Sequence, residues 1–223
     1  MKKARVVLLT IGFVLLLHSG TAWGQKVEGP EHVELQLIGG QVEKFDFEQK
    51  GIEGWKTVDG RWSVEEAKDA PSGKRVLVQR ALKNTFNVIV APAGPYTDVD
   101  VSVRFKPISG QIDASGGIVF RFLDGRYYVV RANALEDNFR LYYYDQKRYQ
   151  IATASVKPPA LGQWHTLRMV AVANLIQAYL DGQLLLDRRD SRFRSGLVGL
   201  WTKTDSVTAF DDLEIKGHNA KQK

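Results

Sequence analysis

Cysteine is absent from all 223 residues. That absence removes disulfide bonds, thiol nucleophiles, thiolate metal ligands and a lipid-modified N-terminal cysteine together. If the chain reaches an oxidising compartment, packing alone must hold it there. Histidine is nearly as scarce, and His32, His165 and His218 lie too far apart to share metal-ligand spacing. No Gly-x-Ser-x-Gly elbow and no phosphate-cradling glycine loop occurs, so two common routes to hydrolysis and nucleotide binding are closed. Lysine and arginine are scattered rather than blocked, which argues against nucleic acid as a partner. No stretch keeps a helical period without glycine, proline or β-branched interruption, and this excludes a helical framework.

Long apolar runs are also missing, with one exception. Lys2, Lys3 and Arg5 precede an apolar run from Val6 to Leu17, and small residues follow, ending Ala22-Trp23-Gly24. A membrane span needs roughly 20 apolar residues, so this shorter run is expected to be a secretory signal over 1–24, cleaved before Gln25. The mature protein is then periplasmic or secreted, without a membrane span. Cleavage removes Lys2, Lys3 and Arg5 and no acid, so the formal charge falls from +6 to +3. The remainder divides into a polar, flexible lead over 25–42, one domain over 43–216 and a basic tail over 217–223.

What is present is period-two alternation punctuated by turns. Asp98 to Lys106 sets Val99, Val101, Val103 and Phe105 against Asp98, Asp100, Ser102 and Arg104, and Pro107 is expected to end the strand. Glu43 to Glu48 alternates Phe45 and Phe47 with Asp46 and Glu48. Further strands are expected at Trp62 to Val64, Arg75 to Gln79, Asn87 to Val90, Tyr149 to Ser155, Trp164 to Val172, Leu175 to Leu180, Gln183 to Asp187, Gly196 to Thr202 and Ala209 to Ile215. The spacing of Phe210, Leu213 and Ile215 breaks alternation and places a bulge at Asp211-Asp212. Roughly twelve strands result, and the expected fold is all-β: two antiparallel sheets face to face in a jelly roll. A closed up-and-down barrel is the alternative.

Gly116 to Asp145 is the centre of this pattern. Read as a three-residue loop, Leu123-Asp124-Gly125 pairs Phe122 with Arg126, Arg121 with Tyr127 and Phe120 with Tyr128. Ile118, Phe120, Phe122, Tyr128, Val130 and Ala132 then share an apolar face, while Val119, Arg121, Tyr127, Val129, Arg131 and Asn133 share a mixed one. A plain two-residue Asp-Gly turn would instead set Ile118 opposite Arg131 and bring a guanidinium into the apolar layer. In the next strand Arg140, Tyr142 and Tyr144 join the mixed face, opposite Phe139, Leu141 and Tyr143. Arg121, Tyr127, Arg131, Asn133, Arg140, Tyr142 and Tyr144 are therefore the candidate binding set; the residue types suit a sugar, which stacks on aromatic rings and hydrogen-bonds planar guanidinium and amide groups, and ordinary cross-strand pairing of arginine with tyrosine on a solvated sheet is the alternative. Glu136 and Asp137, in the loop before the third strand, are the acids nearest that face.

The order of Phe45-Asp46-Phe47-Glu48, Gly54-Trp55, Gly60 to Val64, Gly116 to Phe122, Gln163 to Val170, Ile176 to Leu185 and Ser195 to Ile215 resembles the concanavalin A-like lectin/glucanase superfamily. Within it, the likeness is nearest to secreted bacterial domains labelled 3-keto-disaccharide hydrolase, or loosely family 16 glycoside hydrolase, over about residues 43 to 216. The resemblance implies a jelly roll with a carbohydrate site on its concave sheet, Arg121 included. It also implies adjacent first and last strands, which makes Asp46, Glu48, Asp211 and Asp212 candidate ligands for a structural calcium ion. The Glu-x-Asp-x-x-Glu run of family 16 glucanases, which sets nucleophile and acid at retaining distance, is absent. Tyr128-Val129-Val130-Arg131 carries valine where the keto-disaccharide group has an acid. The expectation is an exported glycan-interaction domain; a 3-keto-glycoside or glucan hydrolase or lyase of the same fold, and a structural protein-interaction sandwich, are the alternatives.

Overall fold

A computed structural model of the chain describes residues 33–220. The expected signal peptide and the first part of the expected lead, 25–32, lie outside the described residues. The strands in chain order are β1 (Gln41–Phe45), β2 (Lys56–Asp59), β3 (Trp62–Glu66), β4 (Arg75–Gln79), β5 (Phe86–Val90), β6 (Tyr96–Ser109), β7 (Ser115–Leu123) and β8 (Arg126–Asn133). They continue as β9 (Asn138–Asp145), β10 (Lys147–Ser155), β11 (His165–Val172), β12 (Leu175–Leu180), β13 (Gln183–Arg189), β14 (Leu197–Lys203) and β15 (Val207–Asn219). Among the described residues no helix is long and apolar enough to cross a membrane.

Two antiparallel sheets result, as expected for a jelly-roll sandwich of the concanavalin A-like kind. The first runs β13-β12-β11-β6-β15-β4-β3, with β1 also paired to β15; the second runs β10-β9-β8-β7-β14-β5-β2. Alternation decides which side chains meet between them. Val99, Val101, Val103 and Phe105 of β6 face Ile118, Phe120, Tyr128, Val130, Phe139 and Leu141 of the second sheet in one continuous core. Trp62, buried as expected, packs against Phe210 at 6.0 Å.

First and last strands lie side by side, again as expected: Phe45 pairs with Leu213 and Gln41 with Gly217. β15 changes neighbour here, pairing with β4 over Thr208–Phe210 and with β1 from Leu213 onward. The bulge at Asp211-Asp212 fills the junction, and Asp212 takes a φ of 47°. β1 stops at Phe45 instead of running to Glu48, because Phe47 turns left-handed at φ 59° and the Glu48 N–H is donated to Asp46. Both phenylalanines still reach Trp55, at 5.1 and 5.7 Å.

β6 passes through Pro107 to Ser109, contrary to the expected stop. The β11 ladder has ended at Phe105 on that side, and the Pro107 carbonyl instead accepts Gly162 N–H at 2.8 Å. The missing N–H therefore costs no ladder bond. Outside 43–216, Leu35 N–H bonds Gln177, Leu37 is buried, and β15 includes Gly217 to Asn219.

The hairpin joining β7 and β8 differs from the expected loop. Phe120 does pair with Tyr128, but Leu123 pairs with Arg126, so the turn is the two residues Asp124-Gly125, both at positive φ. A bulge at Arg121-Phe122, with Arg121 at φ 52°, absorbs the extra residue. The two side chains exchange sides. Phe122 joins the outer face of the second sheet and Arg121 turns to the sandwich edge.

Candidate glycan site on the second sheet

The outer face of the second sheet, turned away from the core, is apolar and aromatic where an exposed sheet face is ordinarily polar. Val90 and Val88 of β5, Trp201 of β14, Val119 and Phe122 of β7, Tyr127 and Val129 of β8 and Tyr142 of β9 form one buried cluster. Rings stack across it: Phe122 on Tyr127 at 5.8 Å, Tyr127 on Tyr144 at 5.1 Å, and Phe86 on Trp201 at 5.7 Å. Phe86 on β5 also meets Tyr144 on β9 edge-on at 5.8 Å. Three strands lie between those two, so on a flat sheet they would be about 19 Å apart. The sheet is therefore curled into a trough whose own rings bridge it. Arg148 of β10 lies over it, its guanidinium 4.4 Å from the Tyr142 ring and 5.1 Å from that of Phe86.

One end of the trough is polar. Arg131 and Arg140 pair directly across β8 and β9, a like-charge contact that would destabilise the sheet if left bare. Glu136 lies between them, its carboxylate 2.7 Å from Arg131 and 3.6 Å from Arg140. The Tyr142 hydroxyl accepts from Arg140 at 3.1 Å and from Arg131 at 3.4 Å. Burial alone would raise the Glu136 carboxyl, but the two guanidinia hold it below the usual range. It is ionised and fully engaged at neutral pH, which is the state of a counter-ion and not of a general acid. Burial pushes the Tyr127 phenol far up. Asn138 Oδ1, Asn133 Nδ2 and Arg140 Nε at this end are buried without a protein hydrogen-bond partner, and such groups are uncommon unless water or a ligand meets them.

Of the seven residues expected here, the structure gathers Tyr127, Arg131, Arg140, Tyr142 and Tyr144 on one face. Asn133 borders it, but its Oδ1 is spent on Ala114 and Leu135 N–H groups, which shapes the turn after β8. Arg121 is the correction. It is 2% exposed and donates to the carbonyls of Thr97, Phe193 and Ala173, at 2.7–3.2 Å, so it staples β6, the β11–β12 turn and the loop before β14 together. Phe86, Phe122, Arg148 and Trp201 belong to the trough and were not expected there. Arg148 carried a signal: extending the alternation of β10 one residue before Tyr149 puts it beside Tyr144, its partner.

The four acidic residues expected to hold calcium are not gathered into a metal-holding group, and no such group occurs among the described residues. Glu48 accepts the N–H groups of Lys74 and Arg75 at 2.7 Å. Asp211 accepts those of Ser72 and Asp212, and Asp212 accepts the Ser72 hydroxyl. Burial raises the Asp211 carboxyl, and Asp212 and Asp46 lie near enough to add to that rise.

Residues 43–216 match the profile of the 3-keto-alpha-glucoside-1,2-lyase-like domain family. No curated protein matches the chain. Among solved structures, the carbohydrate-binding module CBM66 from Bacillus subtilis superposes with a TM-score of 0.63 at 21% identity, covering 74% of this chain and 96% of that one. A Bacillus subtilis protein of unknown function with a galectin-like fold gives 0.63 at 10% identity, covering 82% and 99%. A glycosyl hydrolase-like protein from Parabacteroides distasonis gives 0.55 at 14% identity, covering 80% and 100%. At these identities the likeness is one of fold.

Proposed function

Because the chain belongs to the 3-keto-alpha-glucoside-1,2-lyase-like domain family, we propose that it is an exported glycan-interaction domain that holds a sugar in the trough of the second sheet. The observation that carries this reading is the aromatic outer face ending in Arg131, Arg140 and Tyr142. Buried Tyr127 and Tyr142 make the floor, and the half-exposed Tyr144, Arg140 and Arg148 are the groups a ligand meets first. Rings supply stacking surface for the apolar faces of pyranoses, and the guanidinia supply planar donors for their hydroxyls. The fold shared with a carbohydrate-binding module supports the reading. Export rests on the N-terminal signal pattern, and N-terminal sequencing of the exported protein should begin at Gln25.

Binding without chemistry is favoured because the acid within the trough, Glu136, is locked between two arginines. The second reading, a lyase or hydrolase acting on 3-keto-glycosides or glucans, is favoured by the family description itself. A glycan array followed by product analysis of each hit separates them. Binding without turnover is the expected result; turnover supports the second reading, and no binding at all leaves a protein-interaction sandwich.

A further inference from the structure

A second site lies beyond the hairpin bulge. Arg121, Leu123 and Arg126 of the hairpin and Arg192, Phe193, Arg194 and Ser195 of the loop before β14 line an open cavity of about 280 Å³. Four arginines thus border one small cleft. The loop that carries two of them is built in place. Asp190, 7% exposed, accepts Arg192 N–H at 3.0 Å, pairs with the Arg192 guanidinium and accepts the Tyr128 hydroxyl at 2.5 Å. That hydroxyl in turn accepts Phe193 N–H at 3.0 Å. Gly196 lets the loop lie against the bulge, since a Cβ there would fall 2.4 Å from Arg121 C.

The charges do not balance locally. Asp190 neutralises Arg192, and Arg121 is held by carbonyls, with no carboxylate of the described residues within ion-pair distance. The side chains of Arg126 and Arg194, both exposed residues, have neither a hydrogen bond nor an ion pair among the described residues. Like charges held together by a rigid loop raise the local potential, and an anion entering the cleft would relieve it. Guanidinium pairs favour planar or multidentate oxyanions such as carboxylate and sulfate. Leu123 and Phe193 add apolar walls, and the volume is at the small end for ligand pockets, matching one sugar ring better than a chain.

We propose that this cleft is an acid-sugar subsite, taking the uronate or sulfated residue of a glycan whose neutral part lies in the trough. The inference rests on the trough reading, and the bulge supplies the continuity: Arg121 borders the cleft while its neighbour Phe122 stacks on Tyr127 in the trough. Arg126 and Arg194 are the gripping residues, Arg192 is the wall fixed by Asp190, and Arg121 is a positioning residue.

The test is titration calorimetry with trigalacturonate and with cellotriose, on wild type, the Arg126→Ala/Arg194→Ala double variant and Arg148→Ala. Both gripping arginines are exposed, so the double variant should fold. Trigalacturonate is expected to bind wild type, to lose at least about tenfold in affinity in the double variant, and to weaken with added salt. Equal affinity of wild type and double variant for trigalacturonate overturns the subsite, as does binding of anionic lipid vesicles but of neither trisaccharide. If Arg148→Ala changes binding of neither sugar while the double variant still loses trigalacturonate, the trough reading fails and the acid-sugar cleft stands alone.

Discussion

The two sheets present opposite chemistry to solvent, although both bury the same kind of inner face. On the first sheet the outward positions form a polar ladder: Arg168 grips Asp100 through two bonds of 2.8 and 2.9 Å, Arg104 bonds Thr166, and Gln177 bonds Asp187. Where that face turns apolar, at Val76, Val78, Val207 and Ala209, the stretch 67–70 and Trp164 cover it, anchored by Trp164 Nε1 to the Asp69 carbonyl and by Lys106 to the Asp69 carboxylate. The second sheet has a larger apolar outer face, covered by curling, ring stacking and one arginine. The first sheet seals its apolar outer face with its own chain while the second leaves its own to side chains, and this difference supports the proposed position of the ligand on the second sheet.

The sharpest way to break that comparison is to remove a ring from the trough. Trp201 is 1% exposed although it points away from the core. Trp201→Ala should therefore cost about 3–5 kcal/mol, as an interior residue would, whereas Arg168→Ala on the first sheet should cost about 1 kcal/mol or less. Urea unfolding of the two variants decides it, and a Trp201 cost as small as the Arg168 cost would mean that the trough is not a packed layer.

Arg121 gives the next largest effect. Arg121→Met removes the donors from the buried carbonyls of Thr97, Ala173 and Phe193 and should destabilise by about 3 kcal/mol. Arg126→Ala, on the same hairpin, should leave the midpoint unchanged. If instead Arg121→Met unfolds like wild type, the guanidinium is no staple.

A third expectation concerns pH. Burial raises the Asp211 carboxyl from 3.8 to about 6, so the folded state holds that proton more tightly than the unfolded chain does. The contribution is present below about pH 4 and is lost as pH rises to about 6, amounting to about 2 kcal/mol. Asp211→Asn has no such loss. Unfolding free energies at pH 4 and pH 7 should shift in favour of the asparagine variant by that amount, and parallel pH curves would rule the mechanism out. The smallest effect is expected from calcium: with Glu48, Asp211 and Asp212 already accepting hydrogen bonds, millimolar calcium and chelator should give the same melting temperature. A clear rise with calcium would show that these carboxylates rearrange to bind it.

Most of the trough was legible before the fold was known. Alternation along Tyr127-Val129-Arg131 and Arg140-Tyr142-Tyr144 reports which side chains share a face because the strand period is two whatever the sheet does. The strand expected through Glu48 ends early for a related reason: alternation at Asp46 and Glu48 presumes an extended backbone, and Phe47 is left-handed. Phe86 and Trp201 were not legible as trough residues because their meeting with Tyr144 and Arg148 depends on curvature accumulated over several strands.

The hairpin shows the division most plainly. By itself the sequence determined that Phe120 lies opposite Tyr128 and Ile118 opposite Val130, since any other register would drive Arg131 into the core. It could not say where the one extra residue goes. A three-residue loop, and a two-residue Asp-Gly turn with a bulge, give the same pairing for every residue from 120 back and from 128 on. Only tertiary packing, where Thr97, Ala173 and Phe193 offer carbonyls to a guanidinium at the sandwich edge and Tyr127 offers a ring to Phe122 on the outer face, decided for the bulge. That choice moved Arg121 out of the trough and to the edge of the arginine cleft.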